Sequence, residues 1–122
     1  MISDDLLQFL QTFVSSVWTL ELLLLMRRSP DRAWTAEAIN GELRSSSLIV
    51  ANGLAALIAA GLVIEEAEAK YRYRPARPEL GVLVDRLATA YAEFPFAVTQ
   101  AILAAPNDKI RIFADAFRIK KD

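Results

Sequence analysis

The chain has 122 residues, of which 54% are hydrophobic and 24% charged, a composition typical of one small folded domain rather than a disordered chain. It contains neither cysteine nor histidine, which excludes disulfides, thiol nucleophiles, imidazole bases and the usual zinc ligands, and leaves only oxygen ligands for a metal. Its formal net charge of −1 does not by itself indicate a nucleic-acid partner.

The charge is distributed unevenly along the chain. Residues 1–69 carry nine acidic and four basic side chains, a balance of −5, whereas residues 70–122 carry six acidic and ten basic ones, a balance of +4. The excess of positive charge therefore begins at Lys70, where a strand is predicted.

The first predicted helix is capped by Ser3 and continues to about Arg28, with a possible break near Ser15–Ser16. Residues 17–26 are apolar on nearly every face, which predicts burial from several directions. Polar residues interrupt the apolar run that contains this segment, and the N-terminus lacks the positive charge of a signal peptide. We therefore expect a cytoplasmic protein that does not cross a membrane.

In the middle of the chain, the residue pattern predicts a helix over residues 36–43. Thr35 is a suitable N-cap, and Trp34 and Ile39 have the spacing of a hydrophobic staple on either side of it. The helix is expected to end at a short turn, Arg44-Ser45.

A second helix is predicted to follow this turn directly. Ser46 caps it, it continues to about Ala60, and Gly61 is placed to end it. Val50, Leu54 and Leu57 recur at spacings of three and four residues, so they are expected to face the core.

Two short strands come next, at residues 62–66 and 70–74, and Pro75 ends the second one. The alternation in the second strand places Tyr71 and Tyr73 on one face and its three cations on the other. The connection 67–69 lacks Gly and Asn, so its turn type is not predicted.

Three further helices are predicted in the C-terminal part. The first begins near Pro78 and ends near Glu93, and a shorter one covers about residues 97–105. Asn107 caps the last, over residues 108–120, whose apolar face carries Ile110, Phe113, Ala114 and Phe117.

The segment from Thr35 to Val63, followed by the strand at 70–74, resembles winged helix-turn-helix transcriptional regulators, broadly of the MarR, ArsR and PadR type. The shared pattern is a capped helix, a turn, a Ser-capped second helix and L-x-x-x-G-L-V. Its residues here are Thr35, Ile39, Leu43, Ser46, Val50, Leu54, Leu57, Gly61, Leu62 and Val63. The resemblance implies a mainly α fold with a small β-hairpin wing. It also implies a single domain over residues 1–122, with a core at about 17–75 and flanking helices at about 3–16 and 78–121.

In such regulators the exposed face of the second helix enters the major groove of DNA, and the wing contacts the adjacent backbone. The resemblance therefore implies a DNA-binding site formed by the recognition helix 46–60 and the basic strand 70–74. Carried over by position, its residues are Ser46, Ser47, Ile49, Asn52, Ala56, Lys70, Arg72 and Arg74, with Leu48 and Gly53 on the same groove-facing side. Only Asn52 has a side chain well suited to reading a base, since the rest of this face is largely apolar.

Two functions remain open at this point. The first is a DNA-binding transcriptional regulator. The alternative is a protein-interaction module that regulates without binding DNA, through Leu48, Ile49 and Ala56 or through helix 108–120. The cations on strand 70–74 fit a phosphate clamp, although a solvated strand face would look the same.

The flanking helices, rich in Phe and Leu, predict a homodimer, although they could instead complete a monomeric core. Catalysis is not expected, because the adjacent carboxylates Glu65 and Glu66 alternate faces on a strand and the serines at 45–47 lack a neighbouring base. No metal-binding spacing or phosphate-binding glycine loop is present in the sequence, so no cofactor is expected.

Overall fold

The structure, a computed structural model, describes residues 2–104. Within them the chain is mainly helical, with a small three-stranded antiparallel sheet. In chain order the elements are α1 (Asp4–Phe13), α2 (Val17–Arg28), β1 (Trp34–Thr35), α3 (Ala36–Leu43), α4 (Ser47–Ala59), β2 (Val63–Glu66), β3 (Lys70–Tyr73), α5 (Pro78–Glu93) and α6 (Pro95–Ala104). The mainly α fold with a small β component is confirmed, and the predicted helix 108–120 lies outside the described residues.

The predicted break near Ser15–Ser16 is a sharp bend of 105° between α1 and α2. The Ser16 hydroxyl accepts a hydrogen bond from the backbone N–H of Thr19 at 3.1 Å, which starts α2 in a new direction. In the described part of the chain no single helix is long and apolar enough to cross a membrane. Among the described helices, only the bent pair α1 and α2, taken together, has the length and apolar composition of a span.

Helix α2 lies at the centre of the core. It packs against α3, α4 and β3, and its most deeply buried side chains, at most 1% exposed, are Leu20, Leu22, Leu23 and Met26. The predicted burial from several directions is confirmed, and it is achieved by elements of the same chain. A helix that is apolar around most of its circumference requires such covering.

Ser3 lies at the N-cap position of α1, but its predicted capping bond is absent, because its hydroxyl donates to the Asp5 carboxylate instead. The caps predicted around α3 and α4 are confirmed. The Thr35 hydroxyl accepts from the backbone N–H of Ala38 at 3.1 Å, and the Ser46 hydroxyl accepts from that of Ile49 at 3.2 Å. Between the two helices Arg44 adopts the left-handed conformation, with φ 53° and ψ 47°. Gly61 ends α4 with φ 78°, a conformation that glycine adopts without steric cost.

The sheet has the strand order β1-β3-β2, with β3 in the middle. Strand β1 was not predicted, because a two-residue strand has no periodicity of its own; it pairs Trp34 with Tyr71. The β2–β3 hairpin is closed by residues 67–69, where Glu68 and Ala69 have φ of 64° and 54°. The predicted alternation along β3 is confirmed, since Tyr73 is buried and Tyr71 packs against the core.

Helices α5 and α6 cover the N-terminal helix α1. Arg86 on α5 bonds the Asp5 carboxylate with N–O distances of 2.8 and 3.0 Å, and the Tyr91 hydroxyl donates to Glu21 on α2 at 2.8 Å. Helix α6 begins at Pro95 rather than at about residue 97, because proline is well accommodated in a first helical turn, where its missing N–H has no partner to lose.

Candidate functional site

Helix α4 presents one side to the core and the other to solvent. The inward side consists of Val50, Gly53, Leu54 and Leu57, which are buried, with α4 packed against α2. The expectation that Gly53 faces a DNA groove is wrong. A Cβ atom at this position would lie 2.8 Å from Cδ2 of Leu22, so Gly53 is a point of close contact between α4 and α2.

The solvent side of α4, called here the α4 outer face, consists of Leu48, Ala51, Asn52, Ala55 and Ile58. Leu48 is 70% exposed and Ile58 is 37% exposed. Sequence reasoning missed Ala51 and Ala55, although the spacing 48, 51, 55, 58 is the helical repeat of a single face. Asn52 carries the polar side chain of this otherwise apolar surface.

The other α4 residues predicted to contact DNA lie at the edges of the α4 outer face or at the start of the helix. Ser47 is exposed at the first position of the helix, and Ser46 is engaged as its cap. Ile49 is 36% exposed, whereas Ala56 is half-buried beside the core side. No charged residue occurs between Ser45 and Ile64, so α4 itself offers no cation to a phosphate.

Arg72 is held by partners within the chain. Its Nε donates to both carboxylate oxygens of Glu66, at 3.2 and 3.3 Å, and a guanidinium N–H donates to the carbonyl of Asp31. These contacts tie β3 to β2 and to the loop that precedes β1. In that loop the Arg32 guanidinium lies 3.6 Å from the ring centroid of Trp34, a cation–π contact.

The other two cations predicted to contact phosphate are more accessible. Lys70 lies 3.8 Å from the Glu68 carboxylate, an ion pair on the solvent side of the hairpin that is worth little in water. Arg74, directly after β3, is exposed. Because residues 65–74 contain three glutamates beside these three cations, the hairpin region is electrically balanced.

Several buried polar atoms near this region make no hydrogen bond within the described residues: Trp34 Nε1, Asn40 Oδ1, Ser45 Oγ and the Tyr73 hydroxyl. Burial raises the pKa of Tyr73 to about 12, and the nearby Asp85 carboxylate acts in the same direction.

Carboxylates do not gather in groups of three or more that could hold a metal ion anywhere in residues 2–104. Comparison of the chain with protein-family models, with curated proteins and with solved structures finds no match. The interpretation of the site therefore depends on the geometry of α4 and the hairpin.

Proposed function

We propose that the chain is a winged helix-turn-helix regulatory module. The supporting observation is the order α2, β1, α3, α4, β2, β3 with the strand sequence β1-β3-β2, in which a capped helix pair is followed by a hairpin. In this proposal α4 is the recognition helix and the β2–β3 hairpin is the wing. Architecture supports the fold and not the target, because one fold can serve many functions, and the target depends on the exposed side chains.

The first proposed target is duplex DNA. Ser47 and Asn52 are exposed on α4, where a hydroxyl and an amide can reach phosphate oxygens or an adenine edge. Lys70 and Arg74 are the cations available to phosphate from the wing, whereas Arg72 supports the wing through Glu66 and Asp31. With about two phosphates neutralised, the affinity should fall only about tenfold between 50 and 200 mM salt.

The experiment is a salt titration of binding to a random duplex, followed by fluorescence anisotropy. The logarithmic slope should be about −2, and the double variant Lys70→Gln/Arg74→Gln should bring it close to zero. Arg28→Gln is the matched control, because it removes an exposed positive charge at the end of α2, outside the hairpin and α4. If the chain shows no duplex binding at 50 mM salt, the DNA proposal is rejected.

The second candidate is a protein partner that docks on the α4 outer face. It is favoured by the exposure of Leu48 and Ile58 at the two ends of a face whose centre is alanine, a shape into which another helix can pack closely. A cross-linking residue in place of Ala51 should capture the partner protein. The same partner should bind the purified chain, and Leu48→Glu should abolish that binding. Val82→Glu, on an exposed apolar residue of α5, should leave it unchanged.

Pairing of two copies remains a prediction. The exposed Trp18 on α2 lies at the edge of a groove that Leu25 and Leu43 share with the charged Glu21, Arg28 and Glu42, and this is one surface that a second copy could cover. Sedimentation at micromolar concentration should then give twice the chain mass of 13.6 kDa, and a species of single mass at that concentration would reject the dimer.

A further inference from the structure

The four apolar side chains of the α4 outer face follow one another in a symmetrical order of size. Leu48 and Ile58 lie at the two ends of the face and are exposed, and the exposed Ala51 and Ala55 lie between them. Both pairs are centred on position 53, so the order is large, small, small, large in either direction along the helix. A surface that is the same from both ends can meet a copy of itself across a twofold axis.

An antiparallel pair of α4 helices places these side chains in a complementary register. With the twofold axis at the level of position 53, Ala51 lies level with Ala55 of the other copy, and Leu48 lies level with Ile58 of the other copy. The alanines at the centre allow the two helix axes to approach to about 8 Å, the short end of the usual spacing. The large side chains then pack at both ends of the contact.

The large side chain at each end also meets a groove on the other copy. Ile58 borders a groove of about 460 Å³ between the end of α4 and the hairpin, and Ile64, Pro75 and Ala76 also line it. Because the register brings Leu48 beside Ile58 of the other copy, this side chain, which is 70% exposed, can enter the groove. The twofold axis repeats the contact, so pairing buries both leucines in pockets.

The charges around the α4 outer face do not oppose this arrangement. The segment 45–64 contains no charged residue, so the face can be removed from water without burying an unpaired charge. Exposed Glu42 and Arg44 precede α4, and exposed Glu65 and Arg74, which line the groove, follow it. An antiparallel pair brings these two balanced ends together, and the two helix dipoles run in opposite directions.

We propose that two copies of the chain pair through the α4 outer face, with their α4 helices antiparallel across a twofold axis. This pairing depends on the second candidate function, a protein docked on that face, and identifies the protein as a second copy. One helix from each copy is a small contact beside the roughly 1,600 Å² of a typical stable interface, so the pair should dissociate on dilution. Because Asn52 belongs to the paired surface, pairing and duplex binding through α4 exclude each other.

Mixed disulfides test both the pairing and its direction, because the chain contains no cysteine of its own. Ala51→Cys and Ala55→Cys proteins, one of them enlarged by a tag, are oxidised separately and as a mixture. In the antiparallel register positions 51 and 55 of the two copies are level, whereas identical positions are offset by about 6 Å along the helix. The mixture should therefore give more mixed dimer than both single-variant dimers together. Val82→Cys, on α5, mixed with Ala51→Cys is the matched control and should give little product.

Sedimentation at increasing concentration measures the pairing without introduced cysteines. Leu48→Glu brings a carboxylate against each groove, so it should raise the dissociation constant of the pair at least about tenfold. Val82→Glu should leave that constant unchanged, because Val82 is an exposed apolar residue of another helix. Trp18→Gln, which changes the groove on α2, should also leave it unchanged.

Three results would overturn the proposal. A parent chain that stays monomeric up to its solubility limit does not pair. Dissociation of the pair by Trp18→Gln but not by Leu48→Glu would locate the contact at the α2 groove. An excess of single-variant disulfides over the mixed dimer would exclude the antiparallel register. If instead the cross-linking residue at Ala51 captures a different protein, and Leu48→Glu abolishes its binding, the second candidate function stands and its partner is not a second copy.

Discussion

At the scale of single residues, two side chains of β3 have surroundings that the sequence did not predict. Arg72 was expected on phosphate, but its guanidinium is engaged by Glu66 and by the carbonyl of Asp31. Tyr73 was expected to pack, and it does, but its hydroxyl is buried without a hydrogen-bond partner in residues 2–104. Each difference has a measurable consequence for stability.

Removing the Tyr73 hydroxyl should stabilise the protein. Tyr73→Phe retains the ring and deletes a buried hydroxyl without a partner, so the free energy of unfolding at neutral pH should rise by up to about 1 kcal/mol. Because burial raises the pKa of Tyr73 to about 12, the neutral form is favoured in the fold. Stability should therefore fall as the pH rises from about 10 towards 12, and less so in the variant.

Urea unfolding at pH 7 and at alkaline pH measures both effects. Tyr71→Phe, on a half-buried ring of the same strand, is the matched control. It should show neither the gain in stability at pH 7 nor the smaller loss of stability at alkaline pH. A Tyr73→Phe protein that is less stable than the parent at pH 7 would contradict the inference that this hydroxyl lacks a partner.

Arg72 should matter for stability and Arg74 should not. Arg72→Ala removes the charge-assisted bonds that hold β3 to Glu66 and to the loop before β1, so we expect a loss of about 1 kcal/mol. Arg74→Ala removes an exposed cation and should change stability by no more than about 0.5 kcal/mol. Thermal and urea unfolding of the two variants would show equal losses if Arg72 were simply a solvated charge.

At the scale of elements, the close packing of α4 on α2 decides which side of α4 is exposed. Glycine at position 53 allows the two helices to approach, because a Cβ atom there would meet the Leu22 side chain at 2.8 Å. Leu22 is 1% exposed and surrounded by core residues, so it has little room to move. Gly53 therefore belongs to the side of α4 that packs on α2, with the buried Val50, Leu54 and Leu57. Leu48, Ala51 and Ala55 are turned to solvent.

Two glycine-to-alanine variants test this contact and should change the free energy of unfolding in opposite directions. Gly41, within α3, has no atom within 4 Å of a Cβ added there, so Gly41→Ala should raise stability by about 0.5–1 kcal/mol through helix propensity. At Gly53 the cost of overpacking, about 1–3 kcal/mol, should exceed that gain, and Gly53→Ala should be destabilising. Equal stabilisation by both substitutions, measured by urea unfolding, would show that α2 and α4 are not tightly packed at this point.

At the scale of the whole molecule, polar contacts attach helix α5 to the N-terminal pair α1 and α2. Arg86 bonds Asp5 on α1, while Arg27 on α2 lies 2.9 Å from the Asp85 carboxylate. The contact with Arg86 holds the pKa of Asp5 well below its usual value near 3.8. A depressed pKa means that the pair stabilises the fold above that usual value and that the stabilisation is lost as the pH falls.

Asp5→Asn should therefore reduce the acid sensitivity of the fold. We expect the parent to lose more stability than the variant between about pH 5 and pH 2, and we expect added salt to reduce the difference because the pair is exposed. Asp4→Asn, on a neighbouring exposed carboxylate without an ion pair in residues 2–104, is the control. Identical acid unfolding profiles of the parent and Asp5→Asn would contradict the role of this contact.

Local chemistry allowed much of this protein to be predicted from its sequence. The Thr35 and Ser46 caps, the glycine at the end of α4, the alternation along β3 and the apolar character of α2 each depend on nearby residues, and these were predicted correctly, unlike the Ser3 cap. The tertiary structure alone decided the rest, because those features depend on residues far apart in the chain. They include the pairing of Trp34 with Tyr71, the burial of Gly53 on Leu22, and the capture of Arg72 by Asp31. Periodicity shows that a helix has a buried face, but only packing against a specific neighbour determines which residues remain exposed.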